Sequence, residues 1–515
     1  LWQQIIHVDD EPEYLHQLAT SHNNLAEFYR NRGRTAQASE HFDTAISLWR
    51  ELTEKHPLIS QYSAGLAMGE YNRGLMHLEA GEIEEAEPLL ISAEGRRRRL
   101  AEKHSQLPQY QDALASSHDS IGRLQHARQD FDGAAADYRM ALTIREELRN
   151  KFPNVPKYEV AYASSQTTLG YLYKDEGRFA EASDYFRIAL DILDRVVDDK
   201  PDNVSNREHL ADAHYNLALT LILDNQFASA EQHAQRAATV HEQLVQEGQT
   251  SDARTRVLAD CYDLLALAQQ SQGKIEAAAD TYEQTIKLLR SSGNDAESTS
   301  TLISAYLRLA NMWFDRNNLD AAIAATTGAI ETVEQSRGNA ADAAEMEQFA
   351  VFAYSARAEL YDEHGEHDRA VEDWDQVLQT QQHPTYQLRR AVSLARGGND
   401  AAAVEVVETM PALKSENADP SLLLNAACVY SRATEAVEAD DSLEDSQRDM
   451  RAMELLEQGT AYVQRLLEMD DPQQRALAEQ VRQDRDLTRL RKYAPVQDLL
   501  NDLLETSDEP PRAAS

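Results

Sequence analysis

The 515-residue chain carries 88 acidic side chains against 50 basic ones, a formal charge of −38, and 42% of its residues are hydrophobic. So acidic a surface repels DNA, RNA and anionic membranes and suits a basic or neutral protein partner. Gly (19) and Pro (14) are too scarce for a turn-rich β protein, the two cysteines leave no disulfide framework and fit a reducing, cytoplasmic setting, and no apolar run approaches the length that crosses a bilayer.

Residues 1–13 (LWQQIIHVDDEPE) read as the end of a preceding helix, and the chain is expected to be a piece of a longer protein. A hairpin of two helices follows. Leu25, Ala26 and Tyr29 fall at i, i+1 and i+4, and Ala38, Phe42 and Ala45 at i, i+4 and i+7, so each set shares one helix face. Gly33 between them suits a tight turn. The pattern then returns. The place of Ala26 passes to Gly74, Gly122, Gly170, Ala218, Ala266, Ala310, Ala358 and Ala391, in steps of 48 residues except for one of 44 and a last of 33. The place of Gly33 passes to Gly81, Gln129, Gly177, Asn225, Gly273, Asn317, Gly365 and Gly398. Ala38 is followed by Ala86, Ala134, Ala182, Ala230, Ala278, Ala322, Ala370 and Ala403, without a break. Prolines such as Pro153, Pro156 and Pro201 punctuate the linkers.

Several local motifs have a plain reading within this repeat. Arg96 to Arg99 lie on a second helix near acidic Glu82, Glu84, Glu85 and Glu87, which favours local charge pairing. Asp130 to Gly133 (DFDG) falls at an interhelix turn. Cys261 and Cys428 sit on apolar helix faces and are expected to pack. Glu363 to Asp368 (EHGEHD) straddles the turn at Gly365, so a solvated turn is favoured over a metal site. Residues 14–383 thus make eight long repeats, 384–412 a short one, and 413–505 a degenerate helical cap with an acidic loop over 434–449; 506–515 read as a disordered tail.

The small–turn–Ala–aromatic–Ala order resembles the tetratricopeptide repeat. Its own unit has about 34 residues, so these repeats are lengthened, as in kinesin light chains. The resemblance implies an all-α, right-handed superhelical solenoid of about nine hairpins with a C-terminal helical cap, since a lone hairpin cannot cover its own apolar face. It also implies that first helices line a concave groove. By register the groove residues are Asn23, Asn24, Glu27 and Arg30; Tyr71, Asn72 and Leu75; Asp119 and Arg123; Thr167, Tyr171 and Lys174; and Tyr215, Asn216 and Leu219. The asparagines at one repeated position (Asn24, Asn72, Asn216) resemble the kinesin light-chain groove, where such amides hydrogen-bond an extended peptide. The last 90 or so residues, with LNAACVYSRA and DRDLTRLRKYAPVQDLL, resemble the closing segment of bacterial multidomain serine/threonine kinases. The chain itself has no glycine-rich phosphate loop, strand lysine or His-Arg-Asp loop. The expectation is therefore a non-catalytic scaffold, without cofactor or metal, that binds a protein or extended peptide through its groove. The alternative is the substrate-recruiting region of such a kinase.

Overall fold

The computed structural model describes residues 12–248, 251–291, 296–337, 343–415, 417–468 and 474–505. Of the preceding-helix end expected over residues 1–13, residues 1–11 lie outside them, as does the tail expected over 506–515, while Pro12 and Glu13 open the first hairpin helix instead. The described residues form twenty-three α-helices and two 3-10 turns, with no strand among them. The chain divides into two compact units, Leu1–Lys274 and Ile275–Ser515.

In the first unit the hairpins are α1 (Pro12–Arg30) with α2 (Thr35–Lys55), α3 (Ser60–Glu79) with α4 (Ile83–Lys103), α5 (Pro108–Ala127) with α6 (Phe131–Lys151), α7 (Pro156–Asp175) with α8 (Phe179–Asp199), and α9 (Val204–Leu223) with α10 (Phe227–Gln246); α11 (Asp252–Ser271) follows. Each second helix packs on the first helix of the next hairpin, the stacking of a solenoid. The repeated alanines Ala38, Ala86, Ala134, Ala182 and Ala230 are fully buried. Beside them Phe42, Leu90, Tyr138 and Phe186 fill the space between the helices. A Cβ on Gly74, Gly122 or Gly170 would stand only 2.8, 2.7 or 2.8 Å from Leu90, Tyr138 or Phe186, so glycine there permits the close approach. The linkers repeat a clasp: the His56, His104 and Phe152 rings lie 6.1, 5.4 and 5.7 Å from those of Tyr62, Tyr110 and Tyr158. Pro108 and Pro156 open their helices, where a missing N–H costs nothing.

The second unit contains α12 (Ile275–Arg290), then α13 (Ala296–Asp315) with α14 (Leu319–Ser336), α15 (Ala343–His364) with α16 (His367–Thr380), and the shorter α17 (Pro384–Arg396) with α18 (Asp400–Thr409). After a 3-10 turn, Pro411–Lys414, come α19 (Pro420–Glu438) and α20 (Asp445–Leu467), then α21 (Gln474–Gln483), a second 3-10 turn at Arg485–Leu487, α22 (Thr488–Arg491) and α23 (Ala494–Glu505). The stretch expected as an acidic loop over 434–449 is largely helical. α19 runs on to Glu438 and α20 starts at Asp445, because Thr434 and Val437 are buried and hold the chain in the helix. The closing segment is held by charge. Asp486 accepts from Arg396 at 2.7 Å and from Arg432 at 2.6 Å, tying residues distant in sequence into one cluster.

Candidate functional site: the first-helix face of the first unit

The fifteen residues expected to line a groove all lie on α1, α3, α5, α7 and α9. Their side chains do not stand free as a set. Asn23 is buried, and its Oδ1 accepts from Asn72 Nδ2 at 3.2 Å. Ser120 Oγ donates to the Tyr71 hydroxyl at 3.2 Å. Asn216 is buried too, and its Nδ2 donates to the Tyr171 hydroxyl at 2.8 Å and to the Asp212 carbonyl at 2.6 Å. Apart from the Asn216–Asp212 bond, which lies within α9, each joins the first helix of one hairpin to that of the hairpin before it. Two of the three repeated asparagines, Asn72 and Asn216, therefore stitch neighbouring repeats together, while Asn24 is exposed. The pairing was latent in the spacing: Asn72 follows Asn23 by one repeat plus one residue. Ser120 takes part in the same stitching without any signal in the sequence, because a serine on a helix carries no distinctive pattern.

A second set of contacts comes from the second helices. Arg97 lies 3.8 Å over the Tyr71 ring and donates to the Ala113 carbonyl and Ser117 hydroxyl, each at 3.0 Å. One repeat later Arg145 holds Asp119 at 2.5 Å and Ser165 at 2.5 Å. Burial nonetheless pushes the Asp119 carboxyl above its ordinary range. Thr167 donates to its own helix, at the Ala163 carbonyl, 3.2 Å away. Tyr215 is half-buried, and its hydroxyl is pushed up to about 12 by burial and then by the charge of Asp260.

The accessible groups are consequently fewer than the register suggested. Asn24, Arg123 and Tyr171 are exposed, and Leu75 and Leu219 are half-buried. Glu27 and Arg30 are paired at 2.9 Å, with Glu79 at 3.7 Å from Arg30. The Lys174 ammonium lies 5.4 Å over the Tyr171 ring. Leu25 and Phe28 add exposed apolar surface on α1 that the register reading left out.

The other motifs are held by their own surroundings. Arg96 donates to Glu70 and Arg98 to Glu94, at 3.0 and 2.9 Å. Asp130 caps α6, accepting from the Gly133 N–H at 3.0 Å. In EHGEHD, His364 sits 2.8 Å from Glu366 and His367 3.0 Å from Asp362, all about the turn. Cys261 and Cys428 are buried, and burial raises both thiols. Cys428 lies with Asp484 and Asp486 in a group of possible ligand atoms within 4.8 Å of one another. Arg396 and Arg432 already neutralise Asp486 there, and the high thiol disfavours a thiolate, so the group does not suit a cation. No described helix is long and apolar enough to cross a membrane.

Sequence profiles of the tetratricopeptide repeat match residues 18–58, 163–192, 210–249 and 355–418. Curated proteins yield no match. Among solved structures, the chain is similar to BtubC (BKLC) from P. vanneervenii, at 20% identity over 50% of this chain and 93% of that one, with a TM-score of 0.40. It is similar to the apo form of the quorum sensor NprR from B. thuringiensis, at 14% identity over 75% and 98%, with a TM-score of 0.34. A third is aspartyl phosphate phosphatase F from Bacillus subtilis, at 15% identity over 77% and 95%, with a TM-score of 0.38.

Proposed function

We propose that the first unit is a protein-binding scaffold whose first-helix face takes an extended segment of a partner protein. What carries the reading is the stitching of Asn23–Asn72 and Tyr71–Ser120, which sets α1, α3 and α5 side by side, and of Tyr171–Asn216, which does the same for α7 and α9. Asn24 offers a donor and an acceptor to a peptide group. Tyr171, Leu25 and Phe28 offer apolar contact. The chain's charge of −38 favours a partner bearing Lys or Arg, while Arg123 leaves room for one acidic side chain. The chain is read as non-catalytic and without nucleic-acid partners.

The test is a pull-down with the whole chain, followed by affinity measurements on the protein recovered. Changing Asn24 and Arg123 together to Ala is expected to weaken binding by about tenfold or more, at about 1 kcal/mol for each hydrogen bond lost, with helical content unchanged because both are exposed. Added salt should weaken it further. Full affinity in the double variant would move the site off this face.

A second reading makes the array the recruiting region of a serine/threonine kinase. It rests on the likeness of the last 90 or so residues to the closing segment of such kinases. The gene sequence upstream of Leu1 decides it: a glycine-rich loop, a strand lysine and a catalytic aspartate would support it, and their absence would end it.

A further inference from the structure

Where the linker between two hairpins meets the second helix of the next hairpin, a groove recurs. It measures about 200 Å3 beside Pro108 and Leu148, and about 350 Å3 beside Pro156 and Val196. Within the second unit it measures about 120 Å3 beside Ser298 and Gln335. At the linker between α16 and α17 it widens to about 690 Å3. The cause lies in the repeat length. α18 has 10 residues where α6 and α8 have 21, and the chain then turns away at Met410 and Pro411, so the far wall is missing.

The lining of this widened groove is charge-balanced, as in its narrower counterparts, and is richer in amides. Leu378, Val406 and Met410 give it an apolar floor, and Gln379, Gln382 and Gln387 line it with amides. The charged residues on its lining, Asp375 and Arg390, hold each other at 2.7 Å. A chain of net charge −38 thus has a groove that is electrically neutral. A charged side chain entering it would lose water without gaining a free counter-charge. Gln382 Nε2 donates to the Leu378 carbonyl and Gln387 Nε2 to Gln382 Oε1 at 3.5 Å. A neutral peptide would lose little, since a glutamine amide carries two N–H donors and two acceptor lone pairs and these bonds leave part of that capacity for a passing peptide bond.

We propose that the groove between α16, α17 and α18 binds an uncharged, extended peptide segment, with one aliphatic side chain on Leu378, Val406 and Met410 and the peptide backbone against the glutamine amides. This site stands apart from the first-helix face, and neither depends on the other.

The test pans a displayed library of random heptapeptides on the whole chain, with counter-selection on Val406→Glu. Val406 is only half-buried and Gln379 and Gln382 are exposed, so Val406→Glu and the double variant Gln379→Ala, Gln382→Ala are expected to keep the wild-type circular dichroism. Enriched peptides should lack Asp, Glu, Lys and Arg and share one aliphatic position. Fluorescence anisotropy should show about tenfold weaker binding to each variant, and unchanged binding to Asn24→Ala and in added salt. The proposal is overturned by a panning that enriches no peptide, by enrichment of charged peptides, or by peptides that bind the glutamine double variant as tightly as wild type.

Discussion

At the scale of the residue, the turn inside each hairpin shows conformation overriding identity. Gly33, Gly81, Gly177 and Gly273 have φ of 67°, 76°, 76° and 75°, and Gln129, Asn225 and Asn317 take 63°, 58° and 55° at the same place. The left-handed region costs a residue with a Cβ about 1 kcal/mol or more. Asparagine bears it best, so Gln129 is the strained member. Gln129→Gly is expected to stabilise by about 0.5–1 kcal/mol after the added flexibility of the unfolded chain is allowed for, read as a higher thermal midpoint; an unchanged or lower midpoint would mean that the Gln129 side chain makes a compensating contact. Histidines provide a second test. His214 and His233 face each other with Nδ1 atoms 2.9 Å apart, and so do His22 and His41. One member of each pair donates and the other accepts, which suits neutral rings. Burial, then His233 and Arg236, lower His214 to about 3. The unfolded chain therefore takes up this proton first as pH falls below about 6.5. The stabilising effect of the neutral pair is complete above that pH and declines down to about 3, at up to about 1.4 kcal/mol per pH unit for each such histidine. Replacing His214 and His233 by Gln should flatten urea-measured stability between pH 6.5 and 4 relative to wild type; parallel profiles would show that the pair does not titrate this way.

At the scale of the element, the hairpin contact sets how far a repeat can vary. Ala182 is fully buried on α8, in the cluster that holds Leu169, Leu172 and Phe186. At a fully buried site three more carbons push against these side chains, since interiors are close-packed. Ala182→Leu should destabilise by about 1–3 kcal/mol, seen in thermal unfolding, and a neutral result would place the helix contact elsewhere. The same contact is tightest at Gly74, Gly122 and Gly170, where a side chain of the partner helix lies where a Cβ would be. The length of the second helix is the other variable. Twenty-one residues in α8 leave a linker groove of about 350 Å3, and ten in α18 leave a wider one of about 690 Å3.

At the scale of the whole molecule, charge is the dominant long-range term. A net charge of −38 repels itself. Raising sodium chloride from about 10 mM to about 150 mM shortens the screening length from about 30 to about 8 Å and should raise the unfolding midpoint by a few degrees; a falling midpoint would show that ion pairs such as Asp486 with Arg396 and Arg432 outweigh the repulsion. What the sequence by itself determined was the repeat. An alanine returning through nine hairpins, with a left-handed turn residue at a constant distance before it, specifies paired helices and their stacking, because both rest on contacts local to one hairpin and its neighbour. The helical ends of 434–449 escaped it, leaving a loop only over 439–444, since the acidic run masks Thr434 and Val437, whose burial only the packing of α19 reveals. The face of the first helices was legible as positions and not as chemistry. Whether Asn72 meets a ligand or Asn23 depends on the offset between two helices 49 residues apart, and whether Tyr71 is open depends on where Arg97 comes to rest. Those offsets are set by side-chain packing between helices, which a periodic pattern does not encode, so the tertiary structure alone decided which of the fifteen residues remain accessible.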